Sequence, residues 1–164
     1  MGDVMSTGEK RDINMVSLLW AGPEMAAEIA QLHARLFDPG WDQPSVAKLL
    51  EHPGSTTLIG RTGFPKTSVG FAMAQIAADD AEILAIGVDE GWQRLGLGKK
   101  LVEGVVRSLA RAGVKRLFLE VADDNAAARA LYAKAGFLEA ARRKGYYARS
   151  AGPAVDALVL SKAL

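Results

Sequence analysis

The run Gln93-Arg94-Leu95-Gly96-Leu97-Gly98 joins an apolar stretch, Ile83 to Val88, to an amphipathic stretch, Lys99 to Arg111, and a third apolar-patterned stretch, Arg116 to Val121, follows. The flanking stretches read as strands and the one between them as a helix. Strand, helix, strand in that order implies a parallel pair, because the chain must cross back over the sheet before the second strand can begin. The connecting turn also has its own chemistry. Glycines without Cβ atoms let the backbone approach a ligand, and the first turn of a helix points unpaired N–H groups outward. An anion is favoured at such a place, and Arg94, Lys99 and Lys100 add cationic side chains around it.

Two nucleotide readings of this turn can be compared residue by residue. Gly91 to Gly96 has the four-residue gap of a P-loop, but Leu97-Gly98 stand where that motif needs Lys and Ser or Thr for the phosphates and Mg²⁺. A nucleoside triphosphatase is therefore disfavoured. A dinucleotide fingerprint needs a third small residue at 101, which is Leu, yet Glu120 has roughly the spacing of its ribose-binding acid, so this alternative is weakened and stays open.

At 164 residues with 49% hydrophobic content, one proper core is expected. The 20 basic and 19 acidic residues nearly cancel, which argues against the broad polycationic surface of a nucleic-acid binder. With no Cys, chemistry through a thiolate, whether zinc binding or an acyl intermediate, is excluded, and a reducing compartment is suitable. No apolar run has the length of a membrane span, and Met1 to Asn14 is polar without a secretion-type apolar core, so a cytoplasmic protein with no membrane association is expected. We expect residues 1–14 to be a polar, disordered leader and 15–164 a single domain; a translation start at Met15 is an open alternative.

Before the glycine run, Val16 to Trp20 reads as a short strand. Glu24 to Phe37 then reads as a helix after Gly22-Pro23, and a second helix runs to about Glu51 from an N-cap at Asp42. The first helix is expected to pack on a sheet, and the two helices with their joint to be exposed early structure. Thr56 to Arg61, Ser68 to Ala77 and Glu82 to Val88 form an antiparallel meander. After the strand Arg116 to Val121 come a helix, Ala126 to Ala135, and two closing strands, Phe137 to Tyr146 and Val155 to Leu164, with Gly113 and Gly136 where helices end.

This order, with Q-R-x-G-x-G opening the central helix, resembles the GNAT N-acetyltransferases. Leu119-Glu120-Val121, then Asn125-Ala126-Ala127-Ala128-Arg129-Ala130-Leu131-Tyr132 and Gly136-Phe137, looks like the bacterial ribosomal-protein-alanine acetyltransferases of the RimI type; Arg142-Arg143, Tyr146-Tyr147 and Asp156-Ala157 match as well. The resemblance covers about Val16 to Leu164. It implies an α/β (mixed α+β) GNAT fold: a central, mostly antiparallel sheet with a parallel central pair, flanked by about four helices. It also implies acetyl-CoA as cosubstrate, no metal, and a protein N-terminal α-amine as acceptor, the alanine of a small-subunit ribosomal protein. Carried over by position, Glu120 would be the general base and Tyr132 the general acid. Ile86, Gly87, Val88, Gln93, Arg94, Leu95, Gly96, Leu97, Gly98, Lys99 and Asn125 would contact acetyl-CoA. Departures from the pattern are Ala122 in place of Arg, Gly87 in place of Ala, and Val155 in place of an acidic or polar residue.

The residues support this independently. In the strand Arg116 to Val121, Leu117, Leu119 and Val121 face one way and Phe118 and Glu120 the other. Tyr132 follows Asn125 by two helical turns, so both can face one ligand. Trp41, Tyr146 and Tyr147 are candidates for lining the acceptor entrance, although a loop anchor and alternating strand aromatics explain them about as well. His33 and His52 lack a second ligand at metal spacing and are expected to be structural. Arg142-Arg143-Lys144 reads as a solvated strand end that would repel a basic peptide unless acids compensate it. A small-amine acetyltransferase and a noncatalytic acetyl-CoA-binding module remain alternatives, and the choice between monomer and homodimer is open.

Overall fold

The structure is a computed structural model that describes residues 10–164. Its strands are β1 (Ser17–Trp20), β2 (Ser55–Thr62), β3 (Thr67–Ala77), β4 (Asp80–Val88), β5 (Arg116–Ala122), β6 (Leu138–Tyr147) and β7 (Val155–Ala163). They form one sheet in the order β1-β2-β3-β4-β5-β7-β6. Every neighbouring pair is antiparallel except β4 and β5. Four helices flank the sheet: α1 (Ala26–Leu36), α2 (Gln43–Glu51), α3 (Leu97–Arg111) and α4 (Ala126–Lys134). The mostly antiparallel sheet with a parallel central pair is the expected architecture, and β7 slots between β5 and β6.

Strand alternation distributes the apolar residues to two cores. Leu117, Leu119 and Val121 of β5 join Leu97, Leu101, Val105 and Leu109 of α3 on one face, together with Tyr132 and Phe137. Ile59 and Phe71 turn to the other face, where they meet Ile29 and Leu32 of α1 and Val46 and Leu50 of α2. α1 packs on the sheet as expected, but the expected exposure of α1 and α2 is corrected, since together they close a second core. Each fully buried Leu, Ile or Phe there contributes about 1.5–3 kcal/mol relative to exposure.

Local chemistry sets the boundaries. The Asp42 carboxylate caps α2 by accepting from the Ser45 N–H. Gly113 and Gly136 take the left-handed conformation just past α3 and α4. At the start of α1, Pro23–Met25 forms a separate 3-10 turn, and Phe37 is already extended, so the helix is shorter at both ends than the apolar spacing suggested. Residues 10–14 fell within the expected leader. Asp12 nevertheless caps a 3-10 turn at Ile13–Met15, and Ile13 packs on the larger core. The remainder of that leader, residues 1–9, lies outside the described residues.

One irregularity positions the site. The β3–β4 register moves from Ala74↔Ile83 to Met73↔Ala85, leaving Leu84 as an extra residue in a bulge. Bulges bend a strand and raise its twist. The parallel ladder between β4 and β5 starts at Asp80↔Arg116 and ends at Ile83↔Leu119. Past that pair the two strands separate, and the sheet opens.

Candidate active site

The glycine run lies at the far end of this opening. β4 ends at Val88, a 3-10 turn follows at Glu90–Trp92, and α3 starts at Leu97. Gly96 sits at φ 91° and Arg94 at φ 63°, so both are in the left-handed region, where a side chain at 96 would be strained. No side chain caps the start of α3, which leaves its first N–H groups free for a ligand. Gln93 Nε2 donates to the Val88 carbonyl at 3.0 Å and ties the turn back to β4. Leu97 is buried in the core, so only its backbone is left for an anion, whereas Leu95 and Lys99 are exposed. These features fit a pyrophosphate held by backbone with cations around it.

Between turn and bulge, Ile86, Gly87 and Val88 pair with Ala72, Phe71 and Gly70 of β3 on one side only. Where β5 would continue the sheet there is a gap, and alternate residues of β4 direct peptide groups into it. A cleft of about 440 Å³ fills the gap. Ile83 to Ile86 line one wall and Leu119 to Ala122 the other. Asn125, Ala128 and Tyr132 close it from α4, and His33, Phe37 and Trp41 from the α1–α2 side.

Glu120 and Tyr132 reach this cleft from opposite faces of the sheet. Glu120 is on the β5 face that looks toward α1 and α2, and its Oε1 lies 3.1 Å from Arg143 Nε. Tyr132 belongs to the α3–α4 core, is 8% exposed, and packs edge-on to Phe137 at 5.8 Å between ring centres. Burial pushes its hydroxyl up to about 12, so it holds its proton at neutral pH. Asn125 lines the cleft and uses Oδ1 to cap α4, accepting from the Ala128 N–H at 3.2 Å.

Of the acceptor-side candidates, Trp41 and Tyr147 line the cleft. Tyr146 is not among its lining residues. It is 52% exposed, with its ring against Tyr147 and the Arg143 guanidinium 5.2 Å from its centre. His33 lines the cleft wall as well as supporting it. Its Nδ1 accepts from the Trp41 N–H at 3.1 Å and its ring stacks on the indole at 4.2 Å; burial lowers its pKa. His52 accepts from the Gly54 N–H within its own turn.

Arg142 and Arg143 are on an exposed strand, as expected, and the fold supplies the acids that compensate them. Arg142 Nη1 lies 3.0 Å from both Asp123 and Asp156, and Arg143 holds Glu120. The Gly145 N–H and Arg142 together pull the Asp156 carboxyl down. Arg149, from the segment after β6, pairs with Asp124 at 2.7 Å and lines the cleft beside Asn125. Sequence reasoning missed Arg143 and Arg149 because their partners lie 23 and 25 positions away, on strands and loops that meet only through β7. The one available signal was that three adjacent cations needed compensating acids. Among the described residues, no three His, Asp or Glu side chains are grouped to hold a metal, and no helix is long and apolar enough to cross a membrane.

Comparison with known proteins fits this geometry. The acetyltransferase (GNAT) family pattern matches residues 26–137, from the start of α1 to the residue before β6. The [ribosomal protein bS18]-alanine N-acetyltransferase of Escherichia coli K12 is 43% identical over 91 residues, which cover 56% of this chain and 61% of that one. The chain is thus matched to about three fifths of that relative's length. The N-alpha-acetyltransferase RimI of Mycobacterium tuberculosis is 34% identical over 128 residues, 74% of this chain and 78% of that one. The crystal structure of the ribosomal-protein-S18-alanine N-acetyltransferase from Escherichia coli superposes with a TM-score of 0.83 at 29% identity, covering 91% of this chain and 94% of that one. With the family pattern matched over residues 26–137, well over half of the chain and including the glycine turn, this chain belongs to the GNAT acetyltransferase family.

Proposed function

We propose that the protein transfers an acetyl group from acetyl-CoA to the α-amine of a protein N-terminus, the acceptor being the N-terminal alanine of a small-subunit ribosomal protein in the cytoplasm. The observation that carries this reading is that Glu120 and Tyr132 line one cleft together with Ile83 to Ile86 of β4, the strand that leads on to the uncapped N-terminus of α3. The relatives' names supply the acceptor class.

The chemistry is direct transfer. Acetyl-CoA lies along Ile86 to Val88 with its pyrophosphate on Arg94 to Lys99, which brings the thioester to the part of the cleft between β4 and β5. A neutral amine arriving from the Trp41–Tyr147 side attacks the thioester carbon. Glu120 takes the amine's proton, directly or through a water, and Tyr132, protonated because it is buried, supplies a proton to the departing thiolate. A β4 N–H near Val88 polarises the thioester oxygen. Each proton transfer is worth ~10²–10⁴ in rate. Acceptor basicity favours an α-amine. Peptide α-amines ordinarily titrate at about 7.7–8 and lysine side chains at about 10.4, so roughly a quarter of the former but about one in a thousand of the latter is neutral at about pH 7.4.

Thiol release from acetyl-CoA tests the proposal, measured with an alanine-starting basic peptide, its N-blocked twin and a panel of small amines. Turnover confined to the free N-terminus is the expected result. Turnover confined to small amines would overturn the acceptor assignment, and acetyl-CoA binding with no turnover on any amine would overturn the enzymatic one.

A further inference from the structure

The segment ahead of β1 touches the phosphate-facing turn at two points. Arg11 Nη1 donates to the Gly91 carbonyl, and the guanidinium carbon lies 5.8 Å from the centre of the Trp92 ring. A Cβ built on Gly91 would collide with Arg11 Nη1, so the guanidinium occupies the space that a side chain at 91 would need. Two residues further on, Ile13 Cδ1 lies 3.5 Å from where a Cβ on Gly96 would stand, an ordinary packing distance. The two contacts bracket Gln93, Arg94 and Leu95. Arg94 is in the left-handed region, a conformation that persists in a non-glycine residue only when its surroundings hold it there.

The segment is itself anchored. The Asp12 side chain accepts from the Asn14 N–H, Ile13 packs on the α3 core, and Thr62 Oγ1 of β2 donates to the Met15 carbonyl. None of residues 11–15 falls within 26–137, the stretch that matches the family.

We propose that residues 11–15 are a brace for the acetyl-CoA turn, in which Arg11 is a positioning residue seated in a socket that glycine at 91 leaves open. Rigidifying a loop in its binding geometry raises affinity by removing the ordering cost from the binding step. The brace therefore acts on acetyl-CoA affinity and leaves the proton transfers at Glu120 and Tyr132 alone. It rests on reading the turn as the acetyl-CoA site.

The test uses the full-length chain and its Arg11→Ala, Arg11→Lys, Gly91→Ala and Arg11→Ala/Gly91→Ala variants. Acetyl-CoA Kd is measured by calorimetry, with steady-state kinetics on the acceptor peptide and Tm alongside. Loss of one such hydrogen bond and its packing predicts a rise of about 3- to 10-fold in both Kd and KM for acetyl-CoA in Arg11→Ala. Gly91→Ala should match it by displacing the guanidinium, the double variant should be no worse than either single one, and Lys at 11 should restore most of the affinity. The kcat at saturating acetyl-CoA and the KM for the acceptor should stay within twofold of the parent. Equal acetyl-CoA affinity in parent and Arg11→Ala would overturn the brace, as would single-variant effects that multiply in the double variant. A fall in kcat tracking a loss of Tm would overturn it too, by assigning the segment to stability alone. A parent chain that binds no acetyl-CoA would instead bring down the acetyltransferase reading and the brace with it.

Discussion

Ile83 and Leu119 are the last residues to face each other across the parallel strands β4 and β5. Both side chains belong to the core under α3, so the ladder is tightly packed up to the point where it ends. The bulge at Leu84 bends β4 immediately afterwards, and Glu120 is the first β5 residue beyond the parting. A carboxylate one position past a split in a sheet stands at the mouth of the gap, where a substrate threaded between the strands would present its reacting end.

Glu120→Gln should lower kcat at neutral pH by ~10²-fold or more while leaving acetyl-CoA Kd within twofold, since the amide keeps the shape and loses the proton acceptor. Rate profiles of parent and variant that coincide across pH would refute the base assignment.

Tyr132→Phe should cost ~10²-fold in kcat through loss of the proton donor. It also makes an alkaline prediction. The folded-state pKa is raised to about 12 from the ordinary 10, so the group's contribution to stability is complete below pH 10 and is lost as pH rises from 10 toward 12, where the unfolded chain ionises first. Thermal melts over that range should decline more steeply for the parent than for Tyr132→Phe.

Gly87→Ala should destabilise the protein. A Cβ at 87 would lie 2.7 Å from both Leu36 Cδ1 and Phe71 Cε1, two side chains already packed in the α1–α2 core. Overpacking of this kind costs about 1–3 kcal/mol. A chemical denaturation series giving equal stability for the two proteins would show that Leu36 can move aside.

His33 makes the protein sensitive to mild acid. Burial lowers its pKa below the ordinary 6.5, and its Nδ1 must stay unprotonated to accept the Trp41 N–H. The stability it contributes is complete above about pH 6.5 and is lost as pH falls below that value toward the folded-state pKa. Melting temperatures from pH 7.5 to 5 should drop further for the parent than for His33→Gln, and the acceptor KM should rise over the same interval as Trp41 loosens.

Much of the fold was legible along the chain. Gly113 and Gly136 end α3 and α4, Asp42 starts α2, and the strand–helix–strand order required β4 and β5 to be parallel. These features depend on the backbone and a few neighbouring residues. The first helices show where such reading fails: α1 and α2 carry enough polar residues to look exposed, but Ile59 and Phe71, more than twenty positions after α1, give them a core to cover.

The sequence by itself determined the elements, the glycine turn and its cations, and the alternation that sets Glu120 opposite Leu119, because periodicity and backbone freedom are local properties. Only the tertiary structure decided that β4 and β5 part after Ile83↔Leu119, that Tyr132 and Glu120 line one cleft, that Arg143 pairs with that carboxylate, and that Arg11 seats against Gly91. Those relationships join residues up to 80 positions apart, and their partners are chosen by sheet order, a bulge and the filling of space, none of which a local pattern encodes.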